Sequence, residues 1–279
     1  MIVPTRNSAR SLAACLESVE GQSLRPTEII VVDGKSTDGT DLVAKHFSAS
    51  FVVPSLPGLL NARRVGAVMA KSDVLVVLDS DQVLMPFALQ EAVRALGEND
   101  MVILGEYTLD PSTWMERLFA ADKLRLHAHW KNFSDPFTGV LLPRVFKAPI
   151  LRQALLSIPE SVVEVVVTWD HAIIYFEAWK LTQRVGFVPG AIGHLEPDTI
   201  HALWKKWFRW GALEAVASKN REYRQYRRLC LEKVGRRVSF RRVIQSPAAR
   251  QTIVLMTLKG LPYWTGYTSQ AIKQRFAAG

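Results

Sequence analysis

Over its first hundred residues the chain alternates short, wholly apolar runs with stretches whose apolar residues recur at helical spacing. Met1-Ile2-Val3, Glu28 to Asp33, Ser50 to Val53, Val74 to Asp79 and Met101 to Leu104 read as strands. Continuous apolar runs of that length suit strands covered on both faces. Between them Leu12, Cys15, Leu16 and Val19 fall on one helical face, with Asn7 or Ser8 as the N-cap, and further helices are expected over Leu59 to Ala70 and Pro86 to Leu96. Repeated strand-helix-strand units predict an α/β fold with a mostly parallel central sheet flanked by helices.

From Asp110 to Leu195 the pattern loosens. It predicts a helix through Trp114 to Trp130, a strand near Phe137 to Leu142, helices near Ile150 and over Asp170 to Trp179, and a strand pair, Arg184 to Val188 and Ala191 to His194. No linker interrupts this stretch. Residues 1–198 are therefore expected to form one domain, with a first half over 1–109 and a second over 110–198. After Thr199 the chain reads as helical, with Leu203, Trp207, Trp210 and Leu213 on one stripe and a last amphipathic piece from Thr252 to Phe276. Residues 199–279 form a helical C-terminal extension in this reading.

A chain of 279 residues, 48% of them hydrophobic, can bury a large core. Its net charge of +9 is uneven, because Lys205 to Arg250 is dense in Lys and Arg while the first hundred residues are near balance. Such a region suits nucleic-acid phosphates, anionic lipid head groups or an anionic substrate, and charge alone does not choose among them. The two cysteines, Cys15 and Cys230, fit no disulfide framework or close metal-ligand spacing, which points to a reducing, cytoplasmic setting. The first strand begins at the first residue with no signal-peptide pattern before it, and an upstream translation start would fit that position. The apolar runs fall far short of the roughly 20 residues a membrane span needs.

In open α/β sheets ligands bind beyond the carboxyl ends of the strands. Here those ends are Pro4 to Asn7, Asp33 to Gly39 and Asp79 to Asp81, each carrying polar or turn residues directly after an apolar run. Asp79-Ser80-Asp81 places two carboxylates two residues apart, and on an extended strand both would point to the same side. Their repulsion is relieved by a cation, and a hard divalent ion bridging carboxylates to substrate phosphates is a common arrangement. The alternative is a solvated turn in which Asp79 caps the helix near Pro86. Asp33 can accept hydrogen bonds from a base or ribose, whereas Asp38 reads better as a cap for the helix beginning at Thr40.

Pro4-Thr5-Arg6-Asn7, the strand ending Val32-Asp33-Gly34-Lys35-Ser36-Thr37-Asp38-Gly39-Thr40, Ala62-Arg63-Arg64-Val65-Gly66, and Leu78-Asp79-Ser80-Asp81 with Pro86 beyond it occur in the order and spacing that resemble the family 2 glycosyltransferases. The resemblance implies a GT-A fold and a nucleoside diphosphate sugar donor. By it, Pro4 and Asp33 line the nucleoside pocket beside Thr5 and Asn7, and Arg63 reaches the base or diphosphate. Asp79, Ser80 and Asp81 hold the nucleotide with a Mg2+ or Mn2+ ion. Gly34 stands where many members have a second aspartate, and Arg64 where many have asparagine.

Thr168-Trp169-Asp170-His171 is similar to the family's E-D-x-x-L segment, with Trp169 replacing the glutamate, so the resemblance makes Asp170 the catalytic base. An N-cap for the following helix is the plainer reading of the same residue. His194 falls where members place a histidine near the diphosphate or metal. Lys206-Trp207-Phe208-Arg209-Trp210 partly matches a Q-x-x-R-W segment, with Lys206 at the glutamine position. Trp169, Arg209, Trp210 and, in a loop at Phe137-Thr138-Gly139, Gly139 are the acceptor-side candidates.

The reaction expected is a single in-line displacement with inversion, onto a glycan or lipid-linked acceptor. The aromatic and basic C-terminal helices also suit an anionic membrane surface on the cytoplasmic side, and no nucleic acid is expected. Two other readings compete. A sugar nucleotidyltransferase would carry a Gly-rich basic loop after the first strand, which Pro4 to Ser8 lacks. A non-catalytic basic module binding membrane or nucleic acid would leave the strand-end carboxylates unexplained.

Overall fold

The computed structural model describes residues 1–128, 142–166, 168–237 and 248–276. In chain order the elements are β1 (Ile2–Thr5), α1 (Ala9–Glu20), β2 (Ile30–Asp33), α2 (Thr40–His46), β3 (Ser50–Val52), α3 (Leu59–Met69), β4 (Val74–Val76), β5 (Gln82–Leu84), α4 (Ala88–Leu96), β6 (Met101–Thr108), α5 (Trp114–Ala128), β7 (Pro143–Lys147), α6 (Ala148–Leu156), α7 (Glu160–Val163), α8 (Asp170–Leu181), β8 (Val185–His194), α9 (Ile200–Ala217), α10 (Arg221–Arg237) and α11 (Ala249–Phe276).

The strands β1, β2 and β3 pair in parallel, and β4-β7-β6-β8-β5 form a second set. A parallel bridge between Ile2 and Val77 joins the two edge to edge. Strands β5 and β7 run against the rest, while β1, β2, β3, β4, β6 and β8 share one direction. The mostly parallel sheet read from the sequence is thus present, with two reversed strands.

Alternate residues of the strands enter opposite faces, as the pleat requires. Ile2, Ile30, Val32, Leu75 and Val77 meet α3, α6 and α8 on one side. Val3, Val31, Val76 and Leu78 meet α1 and α4 on the other. Each fully buried aliphatic side chain of this kind contributes about 1.5–3 kcal/mol relative to exposure. Gly66 has a packing reason: a side-chain carbon there would overlap Ile2, so α3 lies close on β1 only with glycine at that turn.

The second half of the sheet differs from the reading of the sequence. The strand expected near Phe137 to Leu142 lies, but for Leu142, outside the described residues, and β7, over Pro143–Lys147, was not anticipated. The short reversed strand β5 was not anticipated. The strand pair Arg184 to Val188 and Ala191 to His194 is one strand, β8, bent at Gly190 (φ 58°), and it stays parallel to β6 on both sides of the bend.

The C-terminal helices pack rather than trail. Backbone contacts at Gly211 against Tyr263 and at Gly266 against Phe208 bring α9 and α11 together. Leu255 joins Met115, Phe119 and Leu203, tying α11 to α5. Buried Glu214 accepts hydrogen bonds from Tyr223 (2.6 Å) and Thr168 (2.5 Å) and pairs with Arg227 (2.6 Å), which ties α10 to α9. Both cysteines are buried free thiols. Among the described residues no helix is long and apolar enough to cross a membrane.

Candidate functional site

The carboxyl ends of β1, β2 and β4 lie on the same side of the sheet, where its polarity places a ligand crevice. Pro4 and Thr5 are buried and pair in register with Val32 and Asp33. Asp33, 2% exposed, accepts from the Ser36 amide (2.7 Å) and hydroxyl (2.5 Å), which fixes the turn after β2. The adjacent Thr5 hydroxyl is buried and has no hydrogen-bond partner among the described residues. Asn7, with φ 52°, accepts from the Thr37 amide (2.9 Å) and locks the two loops together. Asp38 accepts from the amides of Ala9 (3.0 Å) and Thr40 (3.2 Å), so it serves the starts of α1 and α2 at once. Gly34 lies against the Arg6 side chain, where a larger residue would crowd it.

The paired carboxylates do not share one side. Strand β4 stops at Val76, and Asp79 to Asp81 form a turn closed by Gln82 N–H to the Asp79 carbonyl (3.0 Å). The turn separates two like charges and gives each its own cations. Asp79 accepts from Arg63 (2.5 Å) and Arg144 (2.9 Å), with His171 Nε2 at 3.3 Å. Arg144 also donates to Glu106 (2.8 Å), which accepts from Gln82 Nε2 (2.9 Å). Arg63, expected to reach the base or diphosphate, is 1% exposed and lies behind the carboxylates, ion-paired with Asp79 and, through its other terminal nitrogen, with Asp170.

Charge settles the protonation of this cluster. Burial alone would raise the Asp79 carboxyl, but the neighbouring guanidinium groups outweigh it and hold it well below the usual carboxylate range. Burial, then Arg144 and Arg63, push His171 down to about 3, so its ring is neutral at pH 7 and takes hydrogen bonds from the arginines. Glu106 is lowered because Arg144 and other cations overcome its desolvation. Burial lowers Arg63 to about 10, which leaves it charged at neutral pH.

Asp81 faces the other way. Its carbonyl accepts from Leu195 N–H (2.9 Å), tying the turn to the end of β8. One carboxylate oxygen lies 3.2 Å from Lys206 Nζ, and the other 3.7 Å from His194 Nε2. Glu196 stands 3.3 Å from His194 Nδ1 and pairs with Lys123 (2.8 Å), which leaves Nε2 toward Asp81. Among the described residues no three acidic, imidazole or thiol groups converge as a self-sufficient metal cage. Asp81 and His194 do fit two places in the shell of a hard cation that draws its other oxygens from a diphosphate. Asp79 fits less well, since Arg63 and Arg144 take its oxygens.

Asp170 opens α8, 6% exposed, directly after Trp169, which holds the left-handed conformation at φ 67°. On α9, Lys206 Nζ sits 5.4 Å from the Trp210 ring, and Trp207 and Trp210 stack edge-on at 4.8 Å. Arg209 is exposed on the same helix, its guanidinium lowered by desolvation and by the like charge of Arg6. Gly139 lies outside the described residues. Sequence reasoning missed Arg144, Glu106 and Gln82, and it gave His171 no role. The available signal was a lone charge within or just after an apolar run, Pro143-Arg144-Val145-Phe146 and Met101 to Gly105 followed by Glu106.

Residues 1–132 match the family model described as Glycosyl transferase family 2. The chain is similar to the glycosyltransferase GlyG of Streptococcus pneumoniae, 25% identical over 114 residues that make up 38% of each protein. It is also similar to the glycosyltransferase AglE of Haloferax volcanii, 30% identical over 89 residues, 29% of each. The matched stretch thus spans well under half the length of these curated relatives. Among solved structures it is similar to Staphylococcus aureus TarS 1-349 in complex with UDP-GlcNAc, at 16% identity and TM-score 0.56, covering 99% of this chain and 91% of that one. It also resembles glucosyl-3-phosphoglycerate synthase from Mycobacterium tuberculosis in complex with Mn2+, UDP and phosphoglyceric acid, at 19% identity and TM-score 0.52, covering 84% and 77%. At these identities the likeness shows the fold, which is GT-A.

Proposed function

From the match of residues 1–132 to the glycosyl transferase family 2 model, we propose that this chain is a member of that family and transfers a sugar from a uridine diphosphate sugar to an acceptor hydroxyl with inversion. The observation that carries the reading is Arg63, a single buried side chain that joins the strand-end turn at Asp79 to the start of α8 at Asp170. It makes the donor side and the candidate base parts of one crevice. The uridine carrier is supported by the complexes of TarS with UDP-GlcNAc and of the mycobacterial synthase with UDP.

In this reading Pro4, Thr5 and Asn7 shape the nucleoside pocket, with the buried Thr5 hydroxyl and the Asp33 turn at its floor. Asp81 and His194 would hold a Mg2+ or Mn2+ ion, which when bound neutralises the departing diphosphate. Asp79, Arg63 and Arg144 fix the geometry from behind. Asp170 takes the proton from the acceptor hydroxyl as it attacks, and electrostatic stabilisation of the leaving group is the larger part of the acceleration. Trp169, Arg209 and Trp210 lie on the acceptor side.

The acceptor is a glycan or a lipid-linked one at a membrane surface. Ile253, Leu261, Trp264 and Ile272 recur along one side of α11 and are exposed, with Phe276 (84% exposed), Lys273 and Arg275 at its end. Aromatics and cations so placed suit an interfacial helix. Flotation with vesicles of anionic lipid should carry the protein upward, and Trp264→Ser with Leu261→Ser should leave it at the bottom. Wild-type protein remaining below would reject the membrane site.

The donor reading is tested by a thermal-shift screen of uridine, guanosine, thymidine and cytidine diphosphates with and without Mn2+, since a ligand of the native state alone raises the melting temperature. A shift with UDP and Mn2+ is expected. No shift with any nucleotide would reject transfer from a nucleotide sugar.

A further inference from the structure

Lys206 reaches from the second turn of α9 to a carboxylate oxygen of Asp81 at 3.2 Å, on the oxygen opposite the one that faces His194. A divalent cation held by Asp81 and His194 would therefore sit within a few ångströms of a second positive charge. The two cannot share the carboxylate without mutual repulsion. The backbone of α9 is fixed: Thr199 caps its start through Ala202 N–H (3.2 Å) and Gly211 is pressed against α11. The lysine stem, however, has four rotatable bonds and a compact ammonium that exchanges partners readily. The Trp210 ring, 5.4 Å from Nζ, offers it a second resting face on the crevice side.

We propose that Lys206 is a displaceable counter-ion of the cation site: it neutralises Asp81 while the donor is absent and moves to the diphosphate when a cation arriving with that diphosphate takes the carboxylate. The proposal rests on the donor reading above and on Asp81 with His194 as the cation site. Its consequence is that metal alone binds poorly, and metal and nucleotide bind together. Asp81 avoids both an uncompensated charge in the empty crevice and a tight resident ion.

The test is a titration of Mn2+ followed by the electron paramagnetic resonance of the free ion, with and without UDP, on the wild type, Lys206→Gln and Lys206→Arg. Glutamine keeps most of the stem and can still donate to Asp81 while removing the charge. Removing a like charge beside a cation site should tighten Mn2+ binding in the absence of nucleotide by about tenfold or more, one unit of an electrostatically shifted equilibrium. In the same variant UDP should bind several-fold more weakly at saturating Mn2+. Lys206→Arg should behave as the wild type, and thermal melting of each variant reports its folding. If the glutamine variant melts early, Lys206→Met takes its place. UDP binding with unchanged Mn2+ affinity in the neutral variants overturns the counter-ion role alone, whereas no UDP binding by the wild type at any Mn2+ level overturns the donor reading itself.

Discussion

Arg63 is ion-paired with Asp170 across the interior of the molecule, one of the buried pairings that link α3 and the turn after β4 to the start of α8. The same guanidinium holds Asp79 at 2.5 Å. A buried arginine that neutralises two carboxylates from distant parts of the chain acts as a positioning residue, and the crevice geometry depends on it.

Arg63→Met should therefore destabilise the fold by about 3–5 kcal/mol, the cost of leaving buried carboxylates uncompensated. Arg63→Lys should recover only part of this, because an ammonium cannot fork between two acids. Urea denaturation of the three proteins checks both. A loss below 1 kcal/mol in the methionine variant would mean the pairings are not formed in solution.

Arg144→Met removes the shared partner of Asp79 and Glu106. Both carboxyls should titrate upward, and stability at pH 7 should fall by about 3 kcal/mol or more. Denaturant titration at pH 7 and 5 reports the loss. Glu106→Gln, which keeps a hydrogen-bond acceptor for Arg144 and Gln82, should cost markedly less.

His171 gives the stability a pH dependence of known sign. Its folded pKa is near 3 against an ordinary value of 6.5, so between those values the unfolded chain takes up a proton that the folded protein does not. Stability is full above about pH 6.5 and is lost as pH falls through that window, by at most about 1.4 kcal/mol per pH unit. The wild type should be about 1–2 kcal/mol less stable at pH 5 than at pH 7 through this residue. His171→Asn should show a flatter profile, and an unchanged slope would remove His171 as its source.

Gly211 and Gly266 let α9 and α11 touch backbone to backbone. Gly211→Ala and Gly266→Ala should each cost about 1–3 kcal/mol by overpacking. Because α9 carries Lys206, Arg209 and Trp210, both should also weaken nucleotide binding. Melting curves with and without UDP and Mn2+ separate the two effects.

The sheet and the polar loops at its strand ends were legible because β1, β2, β4 and β6 are largely buried and so read as unbroken apolar runs. The turn at Asp33 and the Asp38 contact with Thr40 were legible because turn chemistry is local, whereas Asn7, expected as a cap of α1, bonds Thr37 and Asp38 reaches back to Ala9, contacts about thirty residues apart. The division of labour between Asp79 and Asp81 was not, since it depends on a turn two residues past β4 and on cations from β7, α3 and α9. Arg144 was hidden because β7 begins at a proline and carries a charge at its second residue, a pattern that reads as a strand's end. The two reversed strands leave no trace in apolar periodicity, which is the same for either direction.

The proposed transfer rests above all on Asp170 as the base. The most direct measurement is the rate of UDP release from the UDP-sugar giving the largest thermal shift, with donor affinity measured alongside, for Asp170→Asn. Loss of the base should lower the rate at least about a hundredfold with donor affinity within a factor of two of the wild type. Turnover near the wild-type rate would contradict it.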